Sequence, residues 1–251
     1  SRLKGLPVAL PLLKLLLIRH AESEGNREGR MAGWQPTPLT AVGRQQAATL
    51  GRRLLDLSWQ PTHIYCSPLL RSVETLQRMV AEFGWALPES SALLSSDEEA
   101  PLQPLPVPLI WTEALKEYQN GVFQGLTWAE AQQRYPDLCQ QLESSQDWLP
   151  IPGAETLEQG RARAVRFVET LLNQHQNGDR IWIISHHWLL QQLLSGLLGC
   201  DRTWGFAIDH TALFELWLDR QRWQANDLNR WNSELWQVKR FNDCQHLRRS
   251  L

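Results

Sequence analysis

The chain has no closely spaced cysteines and no apolar run long enough to cross a bilayer. Its four cysteines, Cys66, Cys139, Cys200 and Cys244, stand far apart and form no CxxC pair. They read as reduced or buried thiols of a reducing, cytoplasmic compartment, and a zinc site built from them is disfavoured. The most apolar stretch, residues 6–18, is interrupted by Pro7, Pro11 and Lys14. It is too short for a membrane-spanning helix and lacks the small-residue cleavage pattern of a secretory leader. An excess of one charge is missing as well. The formal net charge is -2, which provides no global attraction to nucleic acid or to an anionic membrane. Any affinity for anions must come from a local cluster of Arg and His. The chain carries no internal repeat.

What is present points to an α/β protein. With 251 residues, 43% of them hydrophobic, the chain can bury a sizeable core. Short apolar runs at 15–18, 64–66 and 181–184 are each followed by polar residues, the pattern of strands buried on both faces. The residues before the first run read as an apolar arm. Helical spacing fills the intervals. Thr40 caps a helix over 40–57, and a second helix covers 67 to about 83 with Pro68 at its first position. Thr127 caps a short helix to Arg134, stopped by Pro136. Thr156 starts a long amphipathic helix to about His175, closed by Asn177 and Gly178. A further helix spans 187–198 and ends at Gly199. Residues 213–218 and 235–241 read as strands extending the sheet, antiparallel at an edge. Alternating strands and helices predict a largely parallel sheet with helices on both faces, a three-layer α/β/α sandwich.

One domain over 1–251 is expected, carrying a Pro-rich insertion near 86–110. There Pro88, Pro101, Pro104, Pro106 and Pro108 accompany Ser and Glu, and the segment reads as partly disordered or lid-like. The 13 tryptophans are mostly packing residues, although Trp148, Trp182 and Trp188 are candidates for a pocket wall.

In open α/β sheets ligands bind outside the carboxyl ends of the strands. Arg19 and His20, then Arg71 one turn into a helix, then His186, are therefore expected to converge. Two guanidinium groups and two imidazoles form a site for a compact dianion, since arginine donors match phosphate oxygens in pairs. Backbone N–H groups at the start of the helix from His187 can add donors. Metal binding here is disfavoured, because adjacent histidines chelate poorly and no carboxylate sits at ligand spacing.

The wording around these residues is more specific than their chemistry. It begins with Arg19, His20, Ala21, Glu22, Ser23, Glu24, Gly25 and Asn26. Gly33-Trp34 and the run from Pro38 to Gly43 follow. Residues 65–75 contain Ser67, Pro68, Arg71 and Glu74-Thr75. Later come Glu117, Gly121, Phe123 and Gly125, then Pro152 to Thr156, Arg163, Ser185-His186, Asn242-Asp243 and His246-Leu247. This order resembles the histidine phosphatase superfamily, the phosphoglycerate mutase-like group, over about residues 15–247.

The resemblance implies that His20 is the nucleophile that becomes phosphorylated. Arg19, Arg71 and His186 would hold the transferring phosphoryl group, with Asn26 at its edge, and Glu117 would be the general acid. Ser23, Arg30 and His187 are further candidates for substrate contacts. No cofactor and no metal are expected, and the implied partner is a small phosphorylated metabolite. Phosphoryl transfer depends mainly on positioning and charge stabilisation, so a cationic pocket can work without magnesium. Glu113, four residues before Glu117, is the competing acid, and the spacing to Gly121 and Gly125 favours Glu117.

Three residues depart from the family pattern. Ala21 stands where Gly is usual, and a positive φ there would cost about 1 kcal/mol. His187 replaces a small residue, and Gln124 a common acidic one. The favoured activity is a phosphomonoesterase acting through phosphohistidine. The alternative is a cofactor-dependent phosphoglycerate mutase, disfavoured because residues 117–127 lack the Arg- and Tyr-rich extension of that branch. An inactive phospholigand-binding module is disfavoured because all five key side chains are intact. Oligomeric state is not readable.

Overall fold

A computed structural model of the chain describes residues 11–88, 101–223, 228, 230 and 232–248. The apolar arm falls mostly outside them, as does the middle of the Pro-rich insertion.

The elements run β1 (Leu13–Arg19), α1 (Glu24–Arg27), α2 (Ala41–Asp56), β2 (His63–Cys66), α3 (Leu70–Ala81), β3 (Trp85–Ala86), β4 (Gln103–Pro104) and β5 (Leu109–Trp111). They continue with α4 (Trp128–Arg134), α5 (Pro136–Ser144), α6 (Leu157–Gln174), β6 (Arg180–Ser185), α7 (His187–Leu198), β7 (Leu213–Leu218), α8 (Asn232–Leu235) and β8 (Trp236–Asp243). Six strands form one sheet in the order β5-β2-β6-β1-β7-β8. Pairs β5/β2, β2/β6 and β6/β1 are parallel, whereas β7 runs antiparallel to both β1 and β8.

Strand periodicity divides the core into two. Leu13, Leu15 and Leu17 of β1 pack toward α6 and α7, against residues such as Phe167, Leu171, Leu190 and Leu193. Leu16 and Ile18 point the other way, onto Leu50 and Leu54 of α2 and Leu76 and Met79 of α3. A side-chain period of two on a sheet buried on both faces produces this split. The expected three-layer α/β/α sandwich with a mostly parallel sheet is the architecture observed.

Helix starts follow their caps. Thr40 accepts from the Gly43 N–H, and Thr156 with Gln159 forms a capping box, as does Thr127 with Glu130. Gly199 ends α7 in the left-handed conformation. Three expectations need correction. The helix expected from Ser67 begins only at Leu70, because Ser67 Oγ is engaged by the Leu69 N–H and by His186. Pro136 stops α4 but also occupies the first turn of a second helix, α5, where its missing N–H costs nothing. Inside the Pro-rich stretch, residues 109–111 form the edge strand β5.

The insertion is not a lid in its described part. Trp85, Leu105 and Val107 pack against the α2/α3 face of the core, and none of its described residues lines the cavity below.

Candidate active site

His20 follows the last residue of β1, and its backbone N–H donates to the carbonyl of Ser185 at the end of β6 (3.0 Å). The carboxyl ends of adjacent parallel strands thereby hold the ring in place. The ring is buried. Its Nδ1 lies 2.7 Å from the carbonyl oxygen of Ala21. A carbonyl can only accept, so the proton sits on Nδ1 and Nε2 keeps its lone pair. Arg71 Nε donates toward that Nε2 at 3.3 Å.

Arg71 is fixed in turn. Its other nitrogens donate to the carbonyls of Gly33 (2.8 Å) and Gln35 (3.2 Å). Gly33 has φ +50°, and a Cβ there would lie 2.8 Å from Gln124 Oε1. Glycine is required for the backbone to present that carbonyl. Thr75 joins the two segments, donating to the Arg71 carbonyl (2.6 Å) and accepting the Ala21 N–H (2.9 Å). Ala21 is not among the residues with positive φ, so its replacement of Gly brings no backbone strain.

Arg19 donates to the Ile208 carbonyl (2.6 Å), and its Nε is buried without a partner among the described residues. His186 is fully buried, with its ring centroid 5.0 Å from that of His20. Ser67 Oγ lies 2.7 Å and Ser72 Oγ 3.3 Å from its Nε2. Ser67 Oγ also accepts the Leu69 N–H, and a hydroxyl can both donate and accept. The His186 Nδ1 is buried with no partner among the described residues. Burial pushes both imidazoles well below the usual 6.5, and the Arg71 charge adds to it. Burial also lowers Arg71 to about 10, with Glu117 acting against the drop. Neutral rings and charged guanidinium groups therefore coexist at neutral pH.

Glu117 reaches the same cavity. Its carboxylate accepts backbone N–H donations from Tyr118 (2.9 Å), Leu189 (3.2 Å) and Trp188 (3.3 Å). Two of these belong to the first turn of α7, so donors expected to serve the phosphate are taken by Glu117 instead. The loop bearing Glu117 is tied down by Arg163, which donates to the carbonyls of Ala114 (3.0 Å) and Lys116 (2.7 Å) and pairs with Glu155 (2.7 Å). Glu113 points outward and pairs with Lys116; it does not line the cavity.

The remaining candidates separate. Asn26 and His187 line the cavity. Ser23 does not, because it is fully buried and its hydroxyl donates to Asn26 Oδ1 (2.8 Å). Its part is to orient Asn26. Arg30 is on the wall, but its guanidinium is held by Glu28 and Glu130. His186 is buried beside the cavity, its ring next to that of His20. Of the candidate tryptophans, Trp148 and Trp188 line the cavity, whereas Trp182 is buried in the sheet.

Sequence reasoning missed His210, whose ring centroid is 6.0 Å from that of His20. Burial, reinforced by Arg19, pushes its pKa down to about 4. It also missed the serine pair that orients His186. One cluster of metal-ligand composition occurs among the described residues, His63, His175 and Asp179. It stands at the amino ends of β2 and β6, away from this site. Both ring nitrogens of His175 are already engaged, by Asp179 (2.9 Å) and Tyr65 (2.8 Å).

Fold and site together define an α/β/α protein with an imidazole held between guanidinium groups at the strand ends. The chain belongs to the histidine phosphatase superfamily (branch 1), whose family model matches residues 15–94 and 99–231. It is 29% identical over 181 residues to a protein of Arabidopsis thaliana named metal-independent phosphoserine phosphatase, covering 72% of this chain and 66% of that one. It is 26% identical over 217 residues to phosphoserine phosphatase 1 of Hydrogenobacter thermophilus, covering 84% and 89%. A 2,3-bisphosphoglycerate-dependent phosphoglycerate mutase of Methylorubrum populi is 29% identical over 187 residues, covering 74% and 79%. A solved structure of a putative alpha-ribazole-5'-P phosphatase from Escherichia coli shares the fold. Its TM-score is 0.67 at 23% identity, covering 92% of this chain and 98% of that one.

Proposed function

We propose that this chain is a phosphomonoesterase that hydrolyses a small phosphorylated metabolite through a phosphohistidine intermediate on His20. The observation that carries the reading is the state of that ring, with Nδ1 committed to a carbonyl and the lone pair of Nε2 facing the Arg71 guanidinium. Relatives named as phosphatases support it.

In this reading Nε2 attacks phosphorus while Arg19, Arg71 and His186 offset charge on the phosphoryl oxygens. The P–O bond to the alcohol breaks, and the carboxyl group of Glu117 gives its proton to the leaving oxygen. The Glu117 carboxylate then takes a proton from water, whose oxygen attacks phosphorus. The P–N bond breaks, inorganic phosphate leaves, and Nε2 regains its lone pair. No step needs a metal, and one relative's name includes the word metal-independent. A cytoplasmic location belongs to the same reading, supported by four free thiols.

The experiment is phosphate release from a metabolite panel with EDTA present, together with trapping of acid-labile, base-stable label. We expect activity to survive EDTA and label to vanish in His20→Ala. Dependence on a divalent ion, or label that persists without His20, defeats the mechanism. A mutase would convert 3-phosphoglycerate to 2-phosphoglycerate when primed with 2,3-bisphosphoglycerate; here the phosphoryl group is expected to go to water.

A further inference from the structure

The cavity that reaches His20 is about 720 Å³, far more than a phosphoryl group occupies and within the range of about 300–1,000 Å³ typical of pockets for larger organic ligands. Aromatic and apolar side chains make up much of its outer part, beside Ser145, Gln146 and Asp147. Trp188 packs against Tyr118 with centroids 5.1 Å apart, and Tyr118 in turn meets Trp148 at 6.1 Å. Met31, Phe123 and Ile151 continue the wall. The wall is built to stay in place, because Trp188 lies directly over Gly160, where a Cβ would come within 2.5 Å of the indole.

The charges along this wall are equally informative. Beyond Arg19 and Arg71, the cavity-lining arginine among the described residues is Arg30. Glu28 and Glu130 already engage its guanidinium, the latter at 2.8 Å. His187 has its pKa lowered, chiefly by burial, and Asp147 adds negative charge to the outer rim. A substrate bearing a second anion would find no unspent cation there, only neutral donors such as Asn120, Ser145 and Gln146, which offset the loss of water from a carboxylate less well than a cation does.

Building on the phosphatase reading, we infer that the outer cavity is a subsite for an aromatic or bulky apolar group, so the preferred substrate is a phosphate monoester of an aryl-bearing alcohol rather than a phosphorylated hydroxy or amino acid. The aromatic group stacks among Trp148, Tyr118 and Trp188 while its phosphate sits against Arg19, His20 and Arg71. Burying one such ring is worth roughly 10- to 100-fold in kcat/KM.

The test compares 2-(1-naphthyl)ethyl phosphate, phosphoserine and 3-phosphoglycerate with EDTA present. All three release a primary alcohol, so leaving-group chemistry does not decide the ranking. The naphthylethyl ester is expected to exceed both acids by at least about tenfold in kcat/KM. In Trp148→Ala its KM should rise by about tenfold, with KM for phosphoserine nearly unchanged, and Trp148→Phe should restore most of the loss. Trp148 is 59% exposed, so neither variant threatens folding. Equal or better turnover of phosphoserine overturns the inference and leaves the phosphatase reading intact. If no ester is hydrolysed, the phosphatase reading fails. Quenching of tryptophan fluorescence by 2-(1-naphthyl)ethylphosphonate then decides the subsite: binding weakened by Trp148→Ala supports it, and absence of binding overturns it.

Discussion

Glu117 holds two jobs at once. It faces the cavity and also accepts N–H groups from the first turn of α7, so its substitutions separate chemistry from structure. Glu117→Gln keeps an acceptor oxygen and loses the acid. Hydrolysis of an alkyl phosphate should slow by about 10²–10⁴-fold, while p-nitrophenyl phosphate, whose leaving group departs unaided, should be hurt far less. Glu117→Ala should also lower stability by about 0.5–2 kcal/mol, as removal of an N-terminal cap does. Equal rate losses on both substrates would make Glu117 a positioning residue. Glu113→Gln should change neither rate. At this scale the sequence was informative where chemistry follows strand ends, as at Arg19, His20 and Arg71, whereas Glu117 came from the family resemblance and its spacing to Gly121 and Gly125. The sequence was silent on His210 because residues 199–212 show no strand or helix period. Spacing could not reveal that Ser23 is buried against Asn26, nor that Arg30 on the cavity wall is paired with Glu28 and Glu130.

Elements with a cap and an amphipathic face, such as α2 and α6, were legible in advance, whereas β5 was not. A three-residue strand among prolines carries no periodicity, and only its pairing with β2 makes it a strand. Likewise Pro136 reads as a stop, and nothing local shows that it also begins α5. Two glycines test how α6 and α7 meet. At Gly160 an added methyl collides with Trp188, so Gly160→Ala should destabilise by about 1–3 kcal/mol through overpacking and disturb the apolar cavity wall. At Gly196 on α7, an added Cβ meets nothing nearer than 3.6 Å. Gly196→Ala should therefore stabilise by up to about 1 kcal/mol through helix propensity. Thermal melts of the pair should move in opposite directions, and a common direction would contradict the packing described.

For the molecule as a whole, several imidazoles are held neutral. His20 and His186 are pushed well below 6.5 chiefly by burial, and burial puts His210 and His246 at about 4. In the unfolded chain these rings protonate near 6.5. Below that pH the unfolded state binds more protons, so folding stability declines until the folded rings themselves titrate, at about 4 for His210 and His246. Urea midpoints should therefore fall between about pH 6.5 and about pH 4. A flat profile would mean that water reaches these rings.

The strand order β5-β2-β6-β1-β7-β8 also sets a timetable for synthesis. β1 and β2 leave the ribosome early, yet they are never neighbours, because β6 lies between them and pairs with both. Until β6 emerges, the nascent chain carries two apolar strands whose facing edges have no native partner, the condition under which strands recruit other chains. A fragment ending at Gln174 should consequently be aggregated or chaperone-bound. A monodisperse, protease-resistant fragment would show that β1 and β2 find a temporary partner in each other. His186, which follows β6, reaches the His20 ring only after that strand is inserted, so completion of the central sheet and completion of the histidine pair are one event during biosynthesis.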